Sequence, residues 1–511
     1  MGPVQAPLQL TGRHLTVEDV VTVARGRRPV EVDPTARERM AASRAVIERV
    51  VASGETVYGV RTGFGDLADV RISPEQTATL QRNLVRSHAA GVGEALPEEV
   101  VRAMLVLRVN ALAVGLSGVR PELADLLVAM LNAGVHPHIP SRGSVGASGD
   151  LAPLAHLALV VIGEGEAVVG GRRLSGAEAL ATAGLEPMEL QAKEGLALLN
   201  GTQLMAALGA LAAADARRLI ITADVVGAMS LEAMLGTASA FDEALIGARP
   251  HPGQVASAAR LRGLLADSEI GASHRSSPHR LQDPYSLRCM PQVHGAVHDA
   301  LAPLEGVLAV EMNAATDNPL VFPDGRVVSG GNFHGEPLAL TLDHARVALT
   351  ALATISERRT ARLVDARLSG LPAFLAADPG LESGLMIAQY TAAALVNELK
   401  TVAHPASVDT IPTSANQEDH VSMGATSALL LREAVDRVTT VLAIEALCAA
   451  RGLDLRFPLR PGQGVAAAHS AIREAVPPLA ADRPPGPDIA TLSRLIADGG
   501  LVADGSPAAD A

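Results

Sequence analysis

Apolar residues recur at spacings of three and four along most of this chain, a period that predicts α-helix. Leu342, Ala345, Leu349, Leu352 and Ile355 follow it within 336–369, a segment closed by Gly370 with Pro372 just beyond, and predict one long helix. Stretches near 202–227, 291–312, 383–402 and 423–451 read alike, the last ending at Gly452. Several helices of this length imply a bundle, so the expected fold is mainly α, with a smaller N-terminal mixed segment. The first hundred residues are more broken. Thr16 with Asp19 makes a capping-box start, and Asp33 before Pro34 opens a helix running toward Gly54. The segment VYGVRTGFGDLADV then places three glycines within seven residues, a shaped loop rather than a helix. Two short hairpins are expected, AVVGGRRL around Gly170 and Gly171, and VFPDGRVV around Asp324 and Gly325. RPPGPD and the tail GLVADGSPAADA are the disorder-prone pieces, and no repeat of fixed period is present. This pattern divides the chain into an N-terminal segment, 1–110, and a helical body, 111–511, with a flexible C-terminal tail.

Composition narrows the function. Of 511 residues, 48% are hydrophobic and 19% charged, which excludes a disordered chain. Aromatics make up only 2% and tryptophan is absent, so Leu, Val and Ala fill the core. The net charge is -13, from 42 basic and 55 acidic residues, and no basic cluster interleaves with aromatics. Nucleic acid is therefore an unsuitable partner, and a small-molecule substrate is expected. Cys289 and Cys448 are too few for a disulfide framework, and free thiols in a reducing cytoplasm are expected. The N-terminus MGPVQAPLQLTGRHL lacks the pattern of a signal peptide. LAPLAHLALVVI is short and interrupted by Pro and His, and MLVLRVNALAVGL carries Arg108 and Asn110, so no membrane span is expected.

Familiar cofactor signatures are missing. GEGEAVVGG does not complete a dinucleotide fingerprint and no Walker-type loop precedes a lysine, so no nucleotide cofactor is expected. His136 and His138 in HPHIP, and Glu418, Asp419 and His420 in NQEDH, lack metalloenzyme spacing and read as structural or substrate-binding groups, not as a metal centre. What remains is a series of polar, glycine-punctuated segments in an apolar chain: VYGVRTGFG, RSHAAGVG, GSVGASGDLAPLAHL, ALLNGTQ, QDPYSLRC, TDNPL, SGGNFHGEP and NQEDHVSM. Each alone reads as a turn or cap, but so many polar loops beside buried helices are costly unless their groups are paired or used. Two of the three tyrosines, Tyr58 and Tyr285, fall in these segments, which suggests phenol chemistry beside the plainer role of filling space and hydrogen-bonding.

On GSVGASGDLAPLAH, with QDPYSLRC, SGGNFH and NQEDHVSM following in order, the chain resembles the histidine and aromatic amino-acid ammonia-lyase family from about residue 10 to 500. The resemblance implies that Ala147, Ser148 and Gly149 cyclise autocatalytically to 4-methylidene-imidazole-5-one (MIO), with Asp150, Gly143 and Gly146 holding the loop. A glycine nitrogen is sterically free to attack the Ala147 carbonyl, and Ser148 can lose its hydroxyl. The resemblance further implies that Tyr58 removes the β-proton of the substrate, which needs a phenol depressed from its ordinary pKa of about 10. Arg288 resembles the arginine that binds the substrate carboxylate, with a surface ion pair as its alternative role. Asn200, Gln282, Tyr285 and Phe333 are implied to surround the MIO or the amine, with Asn318 in support; Phe333 is equally explained by core packing. Ser87-His88 and Glu418 depart from the phenylalanine- and tyrosine-selective pattern and favour an imidazole, hence histidine as substrate and urocanate as product. Arg61 stands where histidine-specific relatives carry a small or polar residue; turned inward it would lower the Tyr58 pKa or bind an anion, turned outward it would meet solvent or a neighbouring subunit. Also implied is a homotetramer with dihedral symmetry whose active sites draw on three subunits. Two other readings stay open, an aromatic lyase or aminomutase with the same group, and a helical scaffold without activity; Ser148, Tyr58, Arg288 and Glu418 argue against the scaffold.

Overall fold

A computed structural model of the chain describes residues 6–55, 57, 72–73, 76–275 and 281–502. Helices dominate it, and the strands form only small two- and three-stranded sheets. The mainly α expectation holds. Local chemistry accounts for the element ends. Thr16 and Asp19 close a reciprocal capping box on the helix Val17–Ala24. The Asp33 carboxylate accepts from Thr35 N at 2.9 Å and Ala36 N at 3.3 Å, Pro34 opens the helix Pro34–Ser53, and Gly54 closes it at φ 73°. Gly170 and Gly171, both at positive φ, make the two-residue turn between Glu166–Val169 and Arg172–Ser175.

The longest helices among the described residues are Pro34–Ser53, Gln203–Ala233, Met290–Glu311, Glu336–Val364, Met386–Val402 and Gly424–Asp454. Two ends differ from the sequence pattern. The helix expected over 336–369 stops at Val364, because the Asp365 carboxylate bonds Arg367 N at 2.9 Å and starts a separate turn, Ala366–Ser369. Gly370, at φ 65°, closes that turn as expected. Gly452 does not end its helix. It lies inside Gly424–Asp454, where an added Cβ would come within 2.8 Å of the Ala233 Cβ, so glycine here permits close packing. Glu336–Val364 is long and apolar enough to cross a membrane by length and composition alone, but Leu338, Leu342, Leu349 and Leu352 on it are wholly buried in protein.

By packing, the described residues fall into two compact units. The first draws on 1–214, 303–343 and 405–429, and so includes the N-terminal 110 residues; the second draws on 215–302, 344–404 and 430–511. At the centre of the first lies the helix Glu98–Ala113, buried on every face from Val100 to Ala113. Its three buried polar side chains bond chain ends and turns around it. Arg102 donates to the Val23 and Leu131 carbonyls at 2.9 and 3.0 Å, the last turns of two neighbouring helices. Asn110 accepts from Gly12 N at 2.9 Å and donates to the Met312 carbonyl at 2.8 Å. Arg108 donates to the Ala197 and Asn200 carbonyls, both at 2.8 Å, and to the Gln203 side chain. The second unit is centred on long helices whose buried charges meet one another. Glu445 accepts from Arg359 Nε at 2.5 Å and from the Ser230 and Ser356 hydroxyls at 2.6 Å each. Asp224 accepts from the Ser257 hydroxyl at 2.6 Å, from Arg260, and from His294 Nδ1 at 2.7 Å.

Candidate active site

The segment 143–150 in the first unit is built by glycine. Gly143, Gly146 and Gly149 have φ of 139°, 66° and 76°, a region that side chains disfavour. At Gly149 a Cβ would overlap the Gly201 carbonyl, and Asp150 N donates to that carbonyl at 2.7 Å. At Gly146 a Cβ would overlap the Ser422 hydroxyl, which instead donates to the Gly146 carbonyl at 3.0 Å. Met423 N donates to the Val145 carbonyl at 2.9 Å on the same side. Ala147, Ser148 and Gly149 are thus gripped between the turn at Gly201 and the segment 422–424, and no larger residue fits at 146 or 149.

Asp150 anchors this arrangement from beneath. Fully buried, its carboxylate accepts from Leu204 N at 2.9 Å and Met205 N at 3.1 Å, in the first turn of Gln203–Ala233, and from the Ser144 hydroxyl at 2.9 Å. A carboxylate at a helix N-terminus meets unpaired N–H groups and the positive end of the dipole. Burial nevertheless pushes its pKa up to about 6, opposed by those hydrogen bonds and the charge of Arg108. Burial likewise holds Arg108 down to about 10, so it stays charged at neutrality.

Above the loop, Ser148 Oγ lies 3.1 Å from Glu418 Oε1. Glu418 sits just past the turn Ser414–Asn416, whose three residues all have φ between 50° and 66°, a left-handed run that costs energy for side-chain-bearing residues. Thr413 pins the turn at both levels: its hydroxyl donates to Glu418 Oε2 at 2.6 Å, and its N–H to the Glu418 carbonyl at 2.9 Å. A cavity of about 570 Å³ opens here, with Ala147, Ser148, Asn318, Phe333 and Glu418 in its wall. Asn318 takes Ser329 Oγ at 3.1 Å and Gly330 N at 2.8 Å on its side-chain oxygen. Asn200, buried, donates its amide to the Asn318 carbonyl at 3.0 Å.

His88 ends the helix Thr77–His88, with Nδ1 2.9 Å from the Leu84 carbonyl. A carbonyl only accepts, so Nδ1 carries the proton and Nε2 is the acceptor. Burial lowers the His88 pKa, against the Leu84 bond and the charge of Glu418, which lies close enough to act on it. A neutral imidazole therefore stands in the field of the carboxylate.

Gln282, Tyr285 and Arg288 belong to the second unit. Tyr285 and Arg288 share the short helix Tyr285–Arg288, and the guanidinium carbon lies 4.6 Å from the ring centre, so the two side chains share a face. Tyr285 is 70% exposed, and Gln282 is also exposed. Tyr58 and Arg61 lie outside the described residues. Sequence reasoning missed Thr413, Ser422 and the structural reach of Arg108. Arg108 left a signal as a cation inside the apolar run MLVLRVNALAVGL, and Ser422 lay within the quoted segment NQEDHVSM without being singled out.

A glycine-built loop is thus held over one buried carboxylate and meets a second in the wall of a cavity. The chain belongs to the aromatic amino acid lyase family, whose model matches residues 15–474. It is 58% identical over 503 residues to a histidine ammonia-lyase of Anaeromyxobacter sp. (strain K), covering 97% of this chain and 99% of that one. The crystal structure of histidine ammonia-lyase from Trypanosoma cruzi matches with a TM-score of 0.90 and 45% identity, over 97% of this chain and 94% of that one. Tyrosine aminomutase from Streptomyces globisporus matches at 0.93 and 39%, over 97% and 98%.

Proposed function

We propose that this chain eliminates ammonia from L-histidine to give trans-urocanate, using an MIO group made from Ala147, Ser148 and Gly149. The observation that carries the reading is Glu418 at 3.1 Å from the Ser148 hydroxyl, with neutral His88 in its field. The loop suits the group: Gly149 has no side chain beside the attacking nitrogen, and Gly146 and Gly149 sit where a Cβ would collide with neighbouring atoms. Cyclisation joins Gly149 N to the Ala147 carbonyl carbon and releases two waters, one from that carbonyl and one from the Ser148 side chain. When formed, the group supplies an electrophilic methylidene that makes the substrate amine a better leaving group.

The chain's own residues do the rest. Glu418 and the Nε2 of His88 are two acceptors, and a protonated imidazole is a ring with two N–H donors. Held so, the cationic ring draws electrons from the β-carbon and acidifies its proton. A phenyl ring offers neither donor and would leave the Glu418 charge desolvated and unpaired. Arg288 takes the substrate carboxylate through its planar fork, and Tyr58 accepts the β-proton. Asn200, Gln282, Tyr285 and Phe333 orient the amine and the ring around the loop, and Asn318 supports them. The exposed residues Leu340 and Tyr390 on long helices, with exposed Tyr285 on its short one, suit a homotetramer whose sites are completed by neighbouring copies.

The test is wild type beside Ser148→Ala and Glu418→Gln on histidine, following urocanate and intact mass together. Wild type is lighter than its encoded mass by two waters, Ser148→Ala has the full mass, and its turnover falls by roughly 10³-fold or more. Glu418→Gln keeps the mass loss and loses about 10²-fold or more in kcat/KM. A full-mass active wild type overturns the reading, and β-histidine as product would make the chain an aminomutase.

A further inference from the structure

We propose that His334, Glu336 and His420 form a binding site for a divalent transition-metal ion of the zinc class at the rim of the cavity, apart from the elimination chemistry. One ring nitrogen from each histidine and one carboxylate oxygen of Glu336 lie within 4.8 Å of one another. Tetrahedral zinc, with bonds of about 2.0–2.2 Å, sets its ligands about 3.3–3.6 Å apart, so closure needs side-chain movement on the order of 1 Å. His420 is exposed and free of tight packing. Two imidazoles and a carboxylate suit zinc, cobalt or nickel; magnesium and calcium prefer an all-oxygen set.

Two further observations point to a cation. His334 Nε2 lies 3.1 Å from the His420 carbonyl, so Nε2 carries the proton and Nδ1 presents its lone pair. A backbone carbonyl on the far nitrogen is the partner that metal-bound histidines keep. Among the described residues Nδ1 accepts only from Glu336 N, at a long 3.4 Å. The second observation is Glu336 Oε2, buried with no hydrogen-bond partner among the described residues. A desolvated carboxylate oxygen left unpaired is costly, and a metal ion would satisfy it. Three protein ligands leave a fourth position for water or for a ligand from the cavity, whose wall includes His334 and His420. The ion would tie the segment bearing Glu418 to the start of Glu336–Val364. None of this depends on which amino acid the enzyme takes.

The experiment uses the full chain freed of metal by a chelator, titrated with zinc against a chromophoric competitor and with cobalt by visible absorption. Expected are one zinc per chain with Kd on the order of 10⁻⁶ M or tighter, and the intense cobalt spectrum of a four-coordinate site. His420→Ala and Glu336→Gln each weaken zinc at least about tenfold and remove that spectrum. His251→Ala, an exposed histidine elsewhere, changes neither. Circular dichroism checks folding, and should Glu336→Gln misfold, the exposed His420→Ala decides alone. Zinc affinity unchanged in His420→Ala, or a cobalt spectrum no different from the hydrated ion, overturns the proposal.

Discussion

In the first unit, buried charges pair largely with backbone groups: Arg102 and Arg108 donate to helix-end carbonyls and the Asn200 carbonyl, and Asp150 accepts from the N–H groups of Leu204 and Met205. In the second, Glu445 and Asp224 are met by side chains, Arg359 with two serines in one case, Arg260, Ser257 and His294 in the other. The difference follows from regularity. Inside long helices the backbone is already paired, so a buried charge must bring its own partners. Around the glycine-built loop the backbone is irregular, its polar groups would be orphaned, and buried charges are what satisfy them. One cluster locks helices together; the other holds a loop in a shape it would not keep alone.

The largest effect is expected at Arg108. Arg108→Met leaves the Ala197 and Asn200 carbonyls and the Gln203 side chain without their donor, at a cost of about 3–6 kcal/mol. Adding Gln203→Leu restores little in chemical denaturation, because the orphaned carbonyls belong to the backbone. A double variant as stable as wild type would break the comparison. Arg359→Met comes next, costing about 3–5 kcal/mol by stranding Glu445. Here Arg359→Met with Glu445→Leu recovers more than half of the loss, since only side chains were paired; no recovery would erase the distinction.

The smallest effect tests whether regularity or location sets the rule. Glu232 lies in the second unit, yet it accepts from a loop N–H, that of Gly462, at 3.1 Å, and from the Ser268 hydroxyl. Burial raises its pKa to about 7, as it raises Asp150 to about 6 in the first unit. A carboxyl with a raised folded pKa holds its proton more tightly folded than unfolded. Stability therefore falls as pH rises from about 4.5 to 7 and is level above. Relative to Glu232→Gln, wild type should lose about 1–3 kcal/mol across that window by denaturant titration. A flat difference would show that the Gly462 and Ser268 bonds already offset burial.

Much of the fold was legible because it rests on local rules. The Thr16 capping box, the Asp33-Pro34 start and the Gly170-Gly171 turn each depend on a few adjacent residues, and each formed as read. The errors came where one residue had two uses. Asp365 continues an apolar helical pattern but caps a new turn with its own carboxylate. Gly452 resembles a helix stop but serves a contact with Ala233, more than two hundred residues away in the chain. The candidate site was legible as motifs. GSVGASGD and NQEDHVSM do converge on one cavity, with Ser148 and Glu418 in contact. Thr413 left no trace and the role of Ser422 within NQEDHVSM was not legible, since a hydroxyl that pins a turn looks like any other hydroxyl in a loop.

What the sequence offered by itself was a helical body, the tripeptide Ala147-Ser148-Gly149 that we propose cyclises, and the pair His88 and Glu418 that we propose favours an imidazole. Those depend on residue identity and short spacing. Tertiary structure alone decided that Gly201 and Ser422 clamp the loop from opposite sides, that His88 presents Nε2 rather than Nδ1, and that His334, Glu336 and His420 meet. Each of these depends on a hydrogen bond or a close approach between atoms whose partners cannot be known until the chain has closed on itself.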